Sequence, residues 1–443
     1  MRPLSRKKKV LLVMKMMTLL LMLKRRRRRY QRQPQRWWVR PVLAARKQEG
    51  LYYTAMRRMR EGDHAFFFKF YRMTPQMFDT LLTFAVTDLT CQNFIREPLE
   101  PAERLEIALS YLASGQDICS VALAYRVGIE TARMCMHVTC RSLWARLKDN
   151  YMKVHSRAEW EKIAQGFSMR WQFPNCLGAV DGKHVAIVSP PDSGSVYFNY
   201  KGILMTVVDS DCKYTLIDVG AEGRLSDGGT FKNSEFGRAL TQGDLDIPSL
   251  SWLPGSATNA PYTFVGDEAF QLREDFLRPY PARQLDDERR VFKYRLSRAR
   301  RCAENAFGIK AARWRILLRT IHSKPKNVDF VIKAVCILHN FLTVHNPQSH
   351  KFTDTEDSFG NLVAGQWRQG VQQASEPHFF PIKATHCRNY LGNAAAARNL
   401  FAAYFCSSAG EVPWQWNLPG VSKEVAVKRL REQPHQTISD VFG

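Results

Sequence analysis

The sequence lacks the cysteine patterns that mark disulfide-bonded or zinc-binding domains. Its 10 cysteines include no CxxC pair, and none lies near histidines at the spacing of a zinc site. Cys135 and Cys140 share a predicted helix, but their spacing is a weak zinc signal. We expect the cysteines to pack as small apolar residues in a reduced, intracellular protein. This excludes the small secreted scaffolds that depend on disulfides.

Long hydrophobic runs are also missing. The apolar segment at residues 10–23 is interrupted by Lys15 and Thr18 and is too short to span a bilayer comfortably. Basic residues follow it directly, where a signal peptide would need small residues for cleavage. The sequence therefore predicts no membrane partner, with a membrane-tethered protein as the alternative that this segment leaves open.

Acidic residues are absent from the first 48 positions, which hold 17 of the 65 lysines and arginines. The rest of the chain is mildly basic, with 48 basic residues against 41 acidic ones. Most of the net charge of +24 therefore belongs to an N-terminal arm, residues 1–50. We predict that this arm is disordered and serves nuclear import or phosphate binding. The overall composition, 45% hydrophobic and 12% aromatic, suits a globular core.

The chain does contain a helical region, predicted at residues 51–160. Apolar residues recur at helical spacing over residues 101–112, 118–125 and 130–147. Gly115 closes the first of these helices. The order of short helix, glycine-containing turn and helix is typical of a helix-turn-helix and equally of a three-helix bundle, and the sequence leaves both open.

The third predicted helix carries arginines that could reach DNA. Arg133 and Arg141 are candidates for phosphate contacts. The start of that helix lacks an obvious set of Asn, Gln and Arg side chains for reading bases. Sequence-specific DNA recognition therefore does not follow from this segment.

Residues 170–345 change to the pattern of an α/β domain. Successive strands are predicted at 176–188, 202–208, 214–220 and 262–266, with helices at about 230–240, 287–314 and 328–344. Short turns make the first three strands antiparallel, and the helical crossover makes the fourth parallel to the first or to a neighbour. This order is that of an RNase H-like mixed sheet.

Three acidic residues stand where such a sheet would need them. Asp181 and Asp267 each end an apolar strand, and Glu304 lies in the long helix beside its buried stripe. Ligands bind beyond the carboxyl ends of strands in open α/β sheets. Two carboxylates about 4 Å apart repel by roughly 4 kcal/mol at an effective dielectric constant of about 20, and Mg²⁺ or Mn²⁺ relieves that repulsion. Two such ions support phosphodiester hydrolysis. We therefore predict that the three acids bind metal and are catalytic.

Simpler interpretations of the acidic residues compete with this one. An aspartate after a strand is often a turn residue, and a glutamate in a basic helix often pairs with arginine. Asp218, inside the third strand, is the main rival metal ligand. Asp209 and Asp211 are typical of a turn, and Asp227 of a loop or helix start. His184 is either a phosphate contact or a strand-end residue.

These segments together resemble the PIF/Harbinger transposase family, which includes the domesticated Harbinger transposase-derived nucleases of animals. The resemblance runs from about Trp37 to Trp416. Five motifs and a C-terminal signature carry it. The motifs are AVDGKH at residues 179–184, VGDEAF at 265–270, LRPYP at 277–281, RARRCAENAFG at 298–308 and LHNFL at 338–342. The C-terminal signature lies at residues 410–415.

The resemblance implies an RNase H-like DDE nuclease core, preceded by an all-α, helix-turn-helix-like DNA-binding segment, with Mg²⁺ as cofactor. It assigns the two aspartates to Asp181 and Asp267 and the glutamate to Glu304. Neighbouring cationic side chains are further candidates for DNA contacts, namely Lys183, His184, Arg300 and Arg301. Residues 346–443 would form a partly ordered C-terminal region.

The resemblance also implies a function and partners. The expected activity is that of a metal-dependent DNA endonuclease of transposase origin, in the nucleus, assisted by a separate Myb/SANT-like DNA-binding protein and cytoplasmic without it. Homo-oligomers fit this expectation. The alternative is a domesticated, non-catalytic protein that binds DNA or chromatin.

Overall fold

The computed structural model describes residues 13–24, 37–92, 97–188, 201–221, 231, 234–281, 285–346, 349–357, 359–371, 379–381 and 392–432. Asp227 and much of the basic arm lie outside these residues, so what the sequence predicts for them stays a prediction. Within the apolar segment near the N-terminus, residues 13–24 are helical. Its large apolar side chains are exposed, Leu19 by 59%.

The N-terminal half of the described chain is built from helices. A π-helical turn, Tyr52–Met56, lies among nine α-helices. These are α1 (Pro41–Ala44), α2 (Arg46–Glu49), α3 (Arg57–Gly62), α4 (His64–Tyr71), α5 (Pro75–Leu89), α6 (Pro101–Ser114), α7 (Ile118–Ala124), α8 (Ile129–Tyr151) and α9 (Arg157–Trp171).

Local sequence signals explain where several of these helices begin and end. Thr74 caps α5, its hydroxyl accepting a hydrogen bond of 3.3 Å from the backbone N–H of Met77, with Pro75 at the first helical position. Gly115 ends α6 in the left-handed conformation, at a φ of 63°. The three helices predicted between residues 101 and 147 are confirmed as α6, α7 and α8, with α8 running four residues further.

The C-terminal half holds the sheets. The strands are β1 (Cys176–Ala186), β2 (Lys201–Val208), β3 (Tyr214–Ala221), β4 (Ser251–Trp252), β5 (Asn259–Ala260), β6 (Thr263–Val265), β7 (Phe276–Leu277), β8 (Thr355–Glu356), β9 (Leu362–Val363) and β10 (Phe379–Pro381). The α-helices of this half are α10 (Glu235–Gln242), α11 (Asp287–Arg313), α12 (Pro325–His345), α13 (Trp367–Val371), α14 (Gly392–Cys406) and α15 (Lys423–Glu432). Short 3-10 helices follow α11, α12 and α14, at Arg315–Leu318, Ser349–Phe352 and Pro413–Asn417.

The main sheet is mixed, in the order β3-β2-β1-β6-β7, with β10 also paired to β1. Strands β1, β2 and β3 form an antiparallel meander, whereas β6 runs parallel to β1. The predicted strand directions are confirmed. Gly178 permits the close packing of β1, since a Cβ there would lie 2.6 Å from a methyl carbon of Val207.

Helices α11 and α12 form much of the core beside the sheet. Their apolar side chains are buried with those of α6 and α8 in one continuous cluster. By length and composition α12 could cross a membrane, but 67% of its apolar window is buried inside the fold. Its hydropathy is explained by this position in the core.

The C-terminal region packs on α11. Arg295 is 1% exposed and donates hydrogen bonds of 2.9 Å to the carbonyl of Gly410 and to the side chain of Gln415. Arg290 reaches the carbonyl of Gly420 at 2.6 Å. Within residues 346–443, predicted to be partly ordered, Lys423–Glu432 form α15. The contacts with α11 explain this order, because tertiary packing orders a segment that lacks a strong pattern of its own.

Candidate active site

Asp181 and Asp267 are brought together by the parallel pairing of β1 and β6. In that pairing Ala179 lies opposite Val265, so each aspartate follows a paired residue by two positions. Asp181 lies inside β1, which continues to Ala186, whereas Asp267 lies two residues beyond the end of β6. The register brings the two aspartates to neighbouring positions, but the prediction that Asp181 ends its strand is wrong.

Asp181 is buried, with 5% of its surface exposed. Its Oδ2 lies 3.2 Å from the Nζ atom of Lys183, and its Oδ1 accepts a hydrogen bond of 2.9 Å from the backbone N–H of Gly182. The Lys183 ammonium also stands 5.5 Å from the ring centroid of Phe307 on α11. A buried carboxylate needs such a cationic partner.

Asp267 is half-buried just beyond β6. Its Oδ1 accepts from the backbone N–H of Ala269 at 3.0 Å, and its Oδ2 lies 3.9 Å from an Nη2 atom of Arg300. Burial raises the pKa of Asp267, the charge of Arg300 lowers it, and the charge of Asp181 raises it again. The two aspartates thus lie within electrostatic range of each other.

Glu304 lies on α11, one helical turn after Arg300 and three residues before Phe307, so the helix face that carries it is the one turned towards the two aspartates. Its side chain is exposed. Its charge contributes to a raised pKa of Arg368, after the larger effect of the hydrogen bond from Arg368 to Asp354.

Within the described part of the chain, no three Asp, Glu, His or Cys side chains are grouped closely enough to hold a metal ion. The structure therefore brings the two aspartates together and leaves Glu304 outside their immediate cluster. Two adjacent carboxylates repel each other, and a hard cation bound by both relieves that repulsion. The pair therefore suits such an ion.

The other candidates for DNA contacts have partners within the fold. Arg301 pairs with Glu356, and Arg133 pairs with Glu130 in its own helix. Arg141 donates a hydrogen bond of 2.9 Å to Asn327 on α12. These pairings do not test DNA binding. Arg301 and Arg141 contact residues that are distant in sequence and so join separate segments of the fold.

His184 is half-buried on β1, opposite Ile203 of β2 and Phe380 of β10. It lies inside the strand rather than at its end, because β1 continues to Ala186. Lys183, the neighbouring candidate, is the residue of this pair that contacts Asp181.

The competing acids have structural roles. Asp218 accepts a hydrogen bond of 3.0 Å from the backbone N–H of Glu235 at the start of α10. Asp209 accepts from the backbone N–H groups of Asp211 and Lys213 at 2.9 and 2.8 Å, which closes the turn between β2 and β3. The sequence prediction of a turn at Asp209 is confirmed.

The sequence analysis missed a fully buried cation near the site. Lys310 on α11 places its Nζ 3.4 Å from the Sγ of Cys336 and 4.4 Å from the ring centroid of Tyr214. Burial lowers the pKa of Lys310, and the charge of Asp181 is among the influences that raise it. A signal was present, because position 310 continues the buried stripe of Ala303 and Ala306 at helical spacing.

Comparison with known proteins adds to this geometry. Residues 180–340, which include Asp181, Asp267 and Glu304, match the DDE superfamily endonuclease family. The chain is 25% identical to the ALP1-like protein of Arabidopsis thaliana over 289 residues, which cover 61% of this chain and 69% of the relative.

Two further relatives show similar likeness. The antagonist of like heterochromatin protein 1 of Arabidopsis thaliana is 24% identical over 63% of this chain and 74% of its own length. The "Putative nuclease HARBI1" of Rattus norvegicus is 25% identical over 56% of this chain and 68% of its own length. No solved structure matches the chain.

Proposed function

We propose that this chain, a member of the DDE superfamily endonucleases related to the Harbinger-derived nucleases, hydrolyses phosphodiester bonds of DNA. The proposed catalytic residues are Asp181, Asp267 and Glu304. The observation that carries the proposal is the register of β1 and β6, which brings Asp181, within β1, and Asp267, just beyond β6, to neighbouring positions where their charges interact. The mixed sheet supports an RNase H-like fold for this domain.

The residues present fit a divalent metal, Mg²⁺ with Mn²⁺ as the alternative. Asp181 and Asp267 would hold it, with Glu304 supplied by the exposed face of α11. When bound, such an ion makes water a stronger nucleophile and stabilises negative charge on phosphate oxygens. A low local dielectric around the half-buried aspartates strengthens this binding.

Two cationic side chains have a second role in this proposal. Lys183 and Arg300 lie beside Asp181 and Asp267 and offset their negative charges. Because their side chains are long and partly exposed, the same cations can turn towards the phosphate of a DNA strand at this edge.

The remaining expectations extend the proposal beyond the nuclease domain. The N-terminal helices, including the helix-turn-helix-like α7 and α8, and the basic arm would bind DNA, and the protein would act in the nucleus with a Myb/SANT-like accessory protein. The name of one relative, an antagonist of a heterochromatin protein, fits a role at chromatin. Nuclear location is tested by imaging the tagged full chain with and without residues 1–36.

The proposal is tested by nicking of supercoiled DNA with and without Mg²⁺. Losing a residue that merely orients a metal ligand costs roughly 10- to 100-fold, so Asp267→Asn should lower the rate by at least that factor. DNA binding, measured in parallel by fluorescence anisotropy, should change little. The exposed Asp244, which lies in the turn after α10, offers a matched control, and Asp244→Asn should cut at the wild-type rate.

Two outcomes contradict the enzymatic proposal. Equal cleavage by wild type and Asp267→Asn would show that the activity comes from elsewhere, and DNA binding by both without any cleavage would favour the non-catalytic alternative.

A further inference from the structure

A second polar site lies on the side of α11 that faces away from the aspartates. A cavity of about 720 Å³ opens between the ends of α9 and α12, the β2–β3 turn and the segment around β8. Arg298, Ile309 and Arg313 line it from α11. At 100° per residue these positions lie on the face opposite Arg300 and Glu304. The size is that of a small-molecule site.

Arg313 is a buried cation of this cavity. It is 5% exposed, and its Nη1 has no hydrogen-bond partner among the described residues. The ring of Phe352 lies 4.8 Å from its guanidinium carbon. Burial lowers the pKa of Arg313 to about 10. A buried guanidinium without an anion is costly.

The carboxylates around the cavity are already engaged. Glu356 is shared by two arginines, Arg298 and Arg301. Asp354 pairs with Arg368. The Nε and Nη1 atoms of Arg298 remain without partners in the described structure. The other carboxylates of the lining, Asp211 and Asp357, are also engaged, by Arg170 and Lys213 and by Asn361. Arg313 is therefore the lining cation that these ion pairs leave without a carboxylate among the described residues.

His339 of α12 adds a hydrogen-bond acceptor to the same wall. It is 1% exposed, and its Nε2 lies 2.7 Å from the carbonyl of Cys212. A carbonyl only accepts, so Nε2 carries the proton. Burial and the charge of Arg313 lower the pKa of His339 to about 3, so the ring is neutral and Nδ1 is a free lone pair. This Nδ1 has no partner among the described residues.

We propose that this cavity binds a protonated oxyanion, a hydrogen phosphate group free or as a small phosphate ester. Its oxygens accept hydrogen bonds from Arg313, and its hydroxyl donates to Nδ1 of His339. One group satisfies the unpaired donor of Arg313 and the unpaired acceptor of His339 together. The site is separate from the aspartates, and the inference does not depend on nuclease activity.

The test measures thermal unfolding of the full chain in chloride, phosphate and sulfate buffers of equal ionic strength at pH 7. A bound anion stabilises the folded state in proportion to the logarithm of its concentration. Phosphate should raise the wild-type midpoint by about 2 °C or more. Sulfate, which has the same shape but no proton at this pH, should raise it less because it cannot donate to His339.

Arg313→Met separates binding from a structural role. In chloride the variant should unfold at the same temperature as wild type or higher, because it removes an unpaired buried charge, and phosphate should no longer add the site-specific shift. Any general stabilisation by phosphate remains in the variant and in the control Arg238→Met, an exposed position on α10. The inference is overturned if wild type and Arg313→Met respond alike to phosphate, or if sulfate stabilises wild type as much as phosphate does.

Discussion

At the scale of single residues, Glu106 shows how burial changes the chemistry of a side chain. It lies in the interior of α6, 0% exposed, and accepts hydrogen bonds from the hydroxyls of Tyr71 and Tyr125. Burial raises its pKa to about 8, against the opposing effect of the two tyrosines. The nearby Glu103, also buried, has a pKa raised to about 7 although Arg46 pairs with it.

The raised pKa of Glu106 predicts that the free energy of unfolding depends on pH. In the unfolded chain Glu106 has a pKa near 4.5, so its stabilising protonation is fully present below that pH and is lost as the pH rises towards 8. Glu106→Gln carries no titrating proton, and the fall in the free energy of unfolding between pH 5 and pH 8 should shrink by about 2 kcal/mol.

The measurement is urea unfolding at pH 5, 6, 7 and 8. Glu61→Gln, at an exposed position of α3, serves as the control and should follow the wild-type curve. A Glu106→Gln curve parallel to that of wild type would show that Glu106 is ionised in the folded protein.

Single residues also mark what the sequence could and could not predict about the candidate site. Asp181 and Asp267 were predictable because each follows a run of apolar residues, a local pattern, but only the structure shows that β1 continues past Asp181 to Ala186. The partners of these acids, Lys183 and Arg300, and the exposed orientation of Glu304 depend on how α11 packs on the sheet. The roles of all three acids stay predictions until the nicking assay is done.

At the scale of elements, the end of α6 is decided by one glycine. Gly115 adopts a φ of 63°, and a Cβ there would lie 2.7 Å from the backbone carbonyl oxygen of Arg315. Both conditions exclude a side chain. The sequence already predicts the end of the helix at Gly115, but the close approach of the segment after α11 is visible only in the structure.

Gly115→Ala should therefore destabilise the protein by about 2 kcal/mol, since left-handed alanine costs roughly 1 kcal/mol and the backbone contact adds to it. Chemical denaturation measures this change. Gly62→Ala is the matched control, because Gly62 ends α3 with no atom within 4 Å of the added Cβ, and it should be neutral or slightly stabilising. Equal effects of the two substitutions would refute the argument.

Long elements were predicted well and short ones were not. Strands β1, β2 and β3 and helices α11 and α12 have the apolar periodicity of their type over many residues. The two- and three-residue strands, such as β7 and β10, carry no such pattern. Strand β10 pairs with β1 across nearly 200 residues of sequence, and no local rule encodes that contact.

At the scale of the whole molecule, the N-terminal arm and the rest of the chain differ in net charge. The first 48 residues carry 17 lysines and arginines and no acid, whereas several arginines of the body are held in ion pairs. Arg146 of α8, for example, pairs with Asp88. Net positive charge is therefore concentrated in the first 48 residues of the chain.

If the arm contacts DNA phosphates, binding should weaken steeply with salt. Each neutralised phosphate contributes a slope of about −0.9 to the plot of log affinity against log salt concentration. Deleting residues 1–36 should make that slope shallower by the contribution of several neutralised phosphates. Fluorescence anisotropy with a duplex of arbitrary sequence between 50 and 200 mM salt, roughly the range over which such contacts are lost, measures it. An unchanged slope would restrict the arm to nuclear import.

Packing also changes what can be expected of the helix-turn-helix-like segment. Helix α8 lies against α12, where Arg141 and His137 both contact Asn327 and Tyr151 contacts His345. One face of the predicted recognition helix is thus used to join the helical half to the sheet. DNA binding by this segment would have to use the opposite, exposed face, which includes Glu130 and Met134.

The sequence by itself determined the order and type of the long elements, the apolar runs that precede Asp181 and Asp267, and the concentration of charge in the arm. These depend on periodicity, turn residues and composition, which act over a few neighbouring positions. Only the tertiary structure decided that Lys310 is buried, that Glu304 is exposed, and that Arg313 and His339 share a cavity. Those outcomes depend on which distant surfaces exclude water from one another, and no local pattern contains that information.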